Sequence, residues 1–565
     1  MPVLNRSLFG QSTLTNKSSG TGILHLVPSF PMKTTIVLGA IVFSAFVLNA
    51  HAAPLSNQPH TNSALKLGTV DFQITCAPSV RADFNRGVAL LHSFWHDQAF
   101  LAFEKVSSSD PDCAIAHWGE AMTHFHQLLA SPTPEDIEEG TAELAQADRA
   151  REKSPREAAY IEALHGFFDE YRSEDSLQHA TAYADAMAAV TKTYPDDLEA
   201  EVFYALALLA SDPPNDVELA NSRKALAILQ PLFRKHPNHP GIAHYIIHAC
   251  NNPEMASQGL SAAHQYARIA PQVPHALHMP SHIFARLGLW QDDIASNLAS
   301  KAAAEAAGLH HGAENRLHAM EFLEYAYLQT GRFDEAQAIV TEAKTVLPTD
   351  VDPRYPDMWG AVEARYSALL AIETKNWKTA ENLEPIQGGS RSSQEATLLA
   401  HAEGAAQLHD KKAANDALAQ LEALKPPRAT ESAAATEIRA WVDFTRDDLK
   451  TALSLLQPLA ERQTKIGKGE VEIPAREMLA DMLLLSGRPA EALDQYRQSL
   501  VSDPNRFNTL LGAIRAAQQA GQNRLAEKYH RTLLANCRHA DGAAVQELQG
   551  TGPSLRPFDS YTTTP

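Results

Sequence analysis

The sequence predicts an all-α protein, a right-handed superhelix of stacked helical hairpins (an α-solenoid), and three observations carry that prediction. Strand signals, short alternating runs of β-branched and aromatic residues between turns, are almost absent. Small residues, large apolar residues and prolines recur in a fixed order along the chain. Two histidine pairs of i,i+4 spacing, His244/His248 and His278/His282, lie 34 residues apart, the length of one two-helix repeat.

Length and composition agree. A chain of 565 residues exceeds what one growing core accommodates, so it is a set of domains or a repeat array. Hydrophobic content of 44% with 20% charged residues excludes wholesale disorder. The net charge of −19 and the lack of a basic stripe argue against a nucleic-acid partner.

The start of the chain reads as an address. MKTTIVLGAIVFSAFVLNAHAAP offers Lys33, an apolar run from about Ile36 to Leu48, and small residues at Ala50 and Ala52. This is the pattern of a secretory signal peptide cleaved before Ala53, which assigns residues 1–52 to a leader. Met32 is a second candidate start. The run is short and wrongly flanked for a membrane span, with an uncleaved membrane anchor as the alternative; no other stretch is apolar enough, and the location expected is periplasmic or secreted. Export permits disulfides, and Cys76 and Cys113 flank one expected hairpin and form the candidate pair; Cys250 reads as a small buried apolar residue.

Residues 53–69 read as a flexible linker. Then DFNRGVALLHSFWHDQAFLAFEKVSSSDPD places Gly87, Ala99, Phe103 and Pro111 at spacings that let two helices approach, fill the groove between them and end the second helix. The same order returns with Leu323, Tyr327, Gly331, Phe333, Ala336 and Pro348, with Gly487, Ala492, Tyr496 and Pro504, and with Leu511, Gly512, Gly521 and Ala526. Weaker echoes lie at Ala225/Pro237, Trp377/Ala380 and Ala452. SPTPEDIEEG is a helix start, with early prolines and first-turn acids. The Gly/Ser-rich stretch 383–396 divides a His-rich array over 70–382 from a second array over 397–540, and 541–565 reads as a flexible tail.

These residues resemble the tetratricopeptide-repeat (TPR) family, and the expectation is about eight to nine hairpins whose stability comes from burial between neighbouring repeats. The segment from HPGIAHYIIHA to PHALHMPSHIFARLGLW further resembles a recurring block in a group of exported bacterial TPR proteins with a His-rich centre. That likeness covers roughly residues 80–345. It implies an exported repeat protein and no particular activity.

Counting from Pro237 and Pro271 as repeat ends puts His244 and His278 at position 5 of the next unit, His248 and His282 at position 9, and His275 at position 2. The unit ending at Pro348 puts His318, Glu321 and Tyr325 at positions 2, 5 and 9. In the TPR family these positions line the concave groove and commonly hold the ligand. The resemblance therefore implies a ligand groove with His275, His318, Glu321 and Tyr325 on its wall.

Three readings of the histidines stay open. Neutral imidazoles suit a transition metal such as zinc, copper or iron, with His244, His248, His278 and His282 as ligands. The second reading is a clamp for a protein, a peptide or a small ligand. The third is buried histidines satisfied by backbone or water. Pro280 weighs against the metal, because a helix that starts there would break the spacing of the second pair. His92, His96, His117, His124 and His126 read as helix-face packing beside aromatic residues, and His310 and His311 as surface. No nucleophile elbow, P-loop, CxxC or HExxH motif is present. The leading expectation is an exported scaffold holding a ligand in a His-lined groove, and the alternative is a metal-dependent oxidase or hydrolase; whether the chain is an enzyme is not decided by its sequence.

Overall fold

Phe103 fills the space that two glycines leave. In the computed structural model a Cβ on Gly87 would lie 2.6 Å from its ring, and one on Gly119 would lie 2.5 Å from it, so the small residues admit the helix carrying Phe103. Gly512 and Tyr496 repeat the device in the second half, where a Cβ on Gly512 would stand 2.3 Å from Tyr496 Cζ. Gly512→Ala should therefore cost ~1–3 kcal/mol through overpacking. Urea denaturation checks this, and an unchanged midpoint would contradict it.

The structure describes residues 65–550 apart from 129–131, 214–215, 347, 352–359, 361, 387–388 and 425–431. The expected leader and most of the linker lie outside the described residues. The first helices are α1 (Arg81–His92), α2 (His96–Ser109), α3 (Ala114–Thr123), α4 (Pro134–Arg149), α5 (Pro155–Phe168), α6 (Ser176–Thr193), α7 (Leu198–Ala210) and α8 (Ala220–Lys235). The His-rich centre forms α9 (Pro240–Ala249), α10 (Ala256–Ile269), α11 (Pro274–His278), α12 (Pro280–Arg286), α13 (Trp290–Ala307), α14 (Leu309–Gln329) and α15 (Phe333–Ala343). A π-helical turn, Val362–Tyr366, leads into α16 (Ser367–Glu373), α17 (Trp377–Glu381), α18 (Arg391–Gln407), α19 (Lys411–Ala423), α20 (Ala433–Thr445) and α21 (Leu449–Ile466). The chain continues with α22 (Ala475–Leu485), α23 (Pro489–Ser502), α24 (Phe507–Gln519), α25 (Asn523–Asn536) and α26 (Gly542–Gly550).

Each helix packs on its neighbours in sequence, and the described residues contain no strand, so the architecture is an all-α, TPR-like α-solenoid. There are more hairpins than the eight to nine expected. Those from α3 to α8 carry the signature only in part, with Gly140 against Phe168 where a Cβ would lie 2.3 Å from the ring, and are held also by aromatic packing, as where Trp118 meets Tyr160 and Phe203. The helix expected in SPTPEDIEEG is α4, capped by a reciprocal Thr133–Asp136 box.

The hydrophobic core falls into two clusters, Leu67 to Phe284 and Ala285 to Leu548. Residues 383–396 lie inside the second cluster, so the Gly/Ser stretch does not coincide with the division of the core. Order begins before residue 70, with Leu67 buried and the Thr69 N–H donating to Asn238 O at 3.0 Å. Nor is all of 541–565 a free tail: α26 buries Ala544 and Leu548, and Asp541 bonds to Gly331 O, while 551–565 lie outside the described residues. Cys76 and Cys113 are bridged, tying the segment before α1 to the start of α3. Cys250 and Cys537 are buried thiols whose pKa burial pushes up to about 12.

Candidate metal centre

Pro280 does not break the second histidine pair. Met279 between α11 and α12 keeps helical dihedrals (φ −50, ψ −36), so the backbone stays helical from His278 to His282. The missing N–H falls at a helix first turn, where it would have no partner anyway. His278 Nε2 and His282 Nε2 end 2.9 Å apart.

The expected set of four histidines is regrouped into two triads. His244, His248 and His275 form the first, and His278, His282 and His318 the second, with the ligand atoms of each within 4.8 Å of one another. Each i,i+4 pair is completed by the position-2 histidine of the following unit. His275 and His318 thus join the pairs they had been set apart from. Imidazoles reach across the seam between units, and that seam depends on superhelical twist, which residue spacing does not encode.

In the first triad, His244 Nδ1 lies 2.7 Å from the backbone carbonyl of His92 and must donate to it. Its neutral ring therefore carries a bare lone pair on Nε2. That lone pair faces two imidazole nitrogens, His248 Nε2 at 3.0 Å and His275 Nε2 at 3.1 Å. One hydrogen bond satisfies one such contact. Three nitrogens on a tetrahedral ion at ~2.0–2.1 Å would stand about 3.3 Å apart, close to what is seen. Phe94 covers the triad, its ring centroid 4.4 Å from His244 and 5.5 Å from His275. Phe94 has φ 52 at the hairpin turn, where later repeats place Gly331, Gly487 and Gly521. A bulky residue in that conformation is held there by its surroundings.

The second triad has stronger outer support. His278 Nδ1 is 2.7 Å from Asn297 Oδ1, and the Asn297 amide is fixed by donating to Asp293 Oδ1 at 2.8 Å. His282 Nδ1 lies 3.3 Å from Glu470 Oε1 and 3.1 Å from Asn251 Nδ2, which itself donates to Glu470 at 2.6 Å. His318 Nδ1 is 3.9 Å from Glu321, which Arg365 holds at 2.9 Å. Backbone, amide and carboxylate partners on the outer nitrogens are the arrangement that orients metal-ligating imidazoles. Phe322 packs on all three rings. The triads adjoin, since His275 and His278 sit one turn apart on α11 with ring centroids 6.3 Å apart.

Burial sets the protonation state. It pushes His244, His275 and His278 well below the ordinary histidine value, His282 below it, and His248 down to about 3. The rings are neutral, the form that coordinates a metal.

Other residues fall elsewhere. Tyr325 is buried, its hydroxyl donating to Glu472 O at 3.2 Å and accepting from Arg506, and Glu321 is buried against Arg365. Neither presents the open groove wall implied by its repeat position. His310 and His311 lie outside the described side chains. His92 and His239 clamp Glu199 from both sides, each at 2.9 Å, and His92 Nδ1 meets the Tyr245 hydroxyl at 2.8 Å. This closed network anchors the residue whose carbonyl orients His244. His126 binds Asp136 at 3.0 Å, and His96 packs on Phe94 and His126. Glu470 and Asn297 carry no signal in the sequence, because their partners are fixed only when distant hairpins meet.

His117 is an ion-pair centre. Its Nδ1 lies 2.7 Å from Glu120 and 2.9 Å from Glu143. Burial opposes its charge, but the two carboxylates outweigh it and raise the pKa to about 9 from 6.5. A raised folded-state pKa gives stability that is complete below 6.5 and disappears as pH climbs through about 9. Relative to His117→Gln, the wild type should be more stable at pH 6 and lose that advantage by about pH 10; a gap independent of pH in thermal melts would contradict this.

No protein-family model and no curated protein matches this chain. Among solved structures, the chain is similar to the human IFIT1 dimer with m7Gppp-AAAA at 13% identity, covering 75% of this chain and 90% of that one, with a TM-score of 0.34. A human IFIT1 dimer with PPP-AAAA matches at 12% identity over 82% and 97%, TM-score 0.34. The APC/C hetero-tetramer Cut9–Hcn1 matches at 13% identity over 84% and 96%, TM-score 0.32.

Proposed function

We propose that this chain is an exported metal-binding protein that holds two transition-metal ions in adjacent tris-histidine sites built across the seams of a TPR-like solenoid. The observation that carries the reading is the His244 imidazole, whose donor nitrogen is committed to a carbonyl while its lone pair faces two further imidazole nitrogens. A shared cation resolves that geometry. The ligands are imidazoles, three of which, His244, His278 and His282, have their outer nitrogens oriented by a carbonyl, an amide and a carboxylate, which fits zinc, copper or iron. A peptide clamp is less well supported, because His275, Glu321 and Tyr325 are 8%, 4% and 1% exposed.

Elemental analysis of untagged protein tests the reading. Two equivalents of transition metal are expected, with one lost in His248→Ala and one in His282→Ala. Metal-free protein whose melting temperature is unmoved by zinc or copper would overturn it. For export, N-terminal sequencing of protein made in its own host should begin at Ala53; a mature chain starting at Met1 or Met32 would contradict that part.

A further inference from the structure

We infer that the two ions are copper and that the pair acts as one dioxygen-binding centre. This rests on the two-site reading above and goes further in naming the metal and the small molecule. Charge is the first consideration. Among the described residues each triad supplies three imidazoles, with no carboxylate or thiolate in either set. Two divalent ions would bring four positive charges among buried rings whose nearest carboxylate, Glu470, sits on an outer nitrogen rather than at the ion. Uncompensated buried charge is costly, and two Cu(I) ions halve it. Imidazole is a donor that suits copper, and Cu(I) accepts three donors without needing a fourth.

Adjacency is the second consideration. His275 and His278 face different triads from successive turns of one helix, with ring centroids 6.3 Å apart, so the two ions share one rigid segment of backbone. Aromatic rings border both sites, Phe94 over the first and Phe322 over the second, and keep the space beside them apolar. Solvent reaches the second triad at His318, whose side chain is 37% exposed while His278 and His282 are buried, and the first at the part-buried His248. A small neutral molecule crosses such an apolar border more readily than a hydrated anion.

The chemistry then balances without further reagents. Each Cu(I) gives one electron, dioxygen takes two and is held as peroxide between two Cu(II), and no proton or external reductant is consumed. Loss of dioxygen reverses the same electron count.

The test loads the full chain with Cu(I) under anaerobic conditions and then admits air. Two coppers per chain are expected, uptake of one dioxygen per two coppers at an oxygen electrode, a new near-ultraviolet charge-transfer band, and no EPR signal from isolated Cu(II). His318→Ala, changed at the half-exposed ligand so that the core is undisturbed, should retain one copper and lose dioxygen uptake more than tenfold; His275→Ala should do the same from the other triad. Two bound coppers that oxidise to separate EPR-visible Cu(II) without retaining dioxygen overturn the inference and leave the metal-site reading standing. Two zinc ions bound, with Cu(I) refused, also overturn the inference alone. Neither metal bound overturns the reading beneath it.

Discussion

Arg506→Met should cost the protein ~3–5 kcal/mol, the penalty for leaving buried carboxylates without their cation. Arg506 is buried at the junction of four helices. Its guanidinium reaches Glu373 on α16 at 2.7 Å and Glu477 on α22 at 2.9 Å, and bonds the Tyr325 hydroxyl of α14 from the start of α24. Asn508 and Gln329 complete Glu373 at 2.9 and 3.2 Å, and Thr509 bonds Glu477. Hairpins distant in sequence are thus closed onto one another by one charge. The triple change Arg506→Met/Glu373→Gln/Glu477→Gln should recover most of the loss, because a neutral, filled site no longer buries an unpaired charge. Urea denaturation of the two variants decides it. A loss below ~1 kcal/mol for the single change would show that the junction does not depend on the pair.

Breaking the Cys76–Cys113 bridge is the second large effect. The bond closes a separation of 37 residues, for which unfolded-chain entropy predicts a loss of roughly 4 kcal/mol. It pins the stretch that also gives Thr75 to Glu157, with N–H and hydroxyl contacts of 2.8 and 2.6 Å, so release should loosen the first three hairpins before the rest. Cys76→Ser/Cys113→Ser is the cleaner variant, since it cannot pair wrongly with Cys250 or Cys537. Amide exchange should show the gain in opening confined to the residues before α7. Equal protection in both proteins would contradict the assignment.

Much of the architecture was legible in the chain because its determinants are local. Gly87 against Phe103 is a contact inside one hairpin and Gly512 against Tyr496 one between consecutive helices of successive hairpins, where short sequence separation and helix periodicity decide who meets whom. The 34-residue return from His244 to His278 was legible for the same reason. The composition of each triad was not. His275 belongs with His244 and His318 with His278 because neighbouring units rotate against each other, and no spacing rule contains that rotation. Pro280 misled in the other direction: proline is disruptive within a continuous helix, whereas here it opens a new first turn in line with the old one. Glu470 reaches His282 only after the second cluster has folded back on α12, where Arg286 donates to Lys468 O at 2.7 Å.

The most direct measurement is anomalous diffraction from crystals of the full chain grown with copper or zinc, collected on both sides of the metal edge. Two peaks are predicted, one within ~2.0–2.1 Å of the Nε2 atoms of His244, His248 and His275, the other equally close to nitrogens of His278, His282 and His318. Peaks at surface histidines alone, with both triads free of anomalous density, would contradict the account.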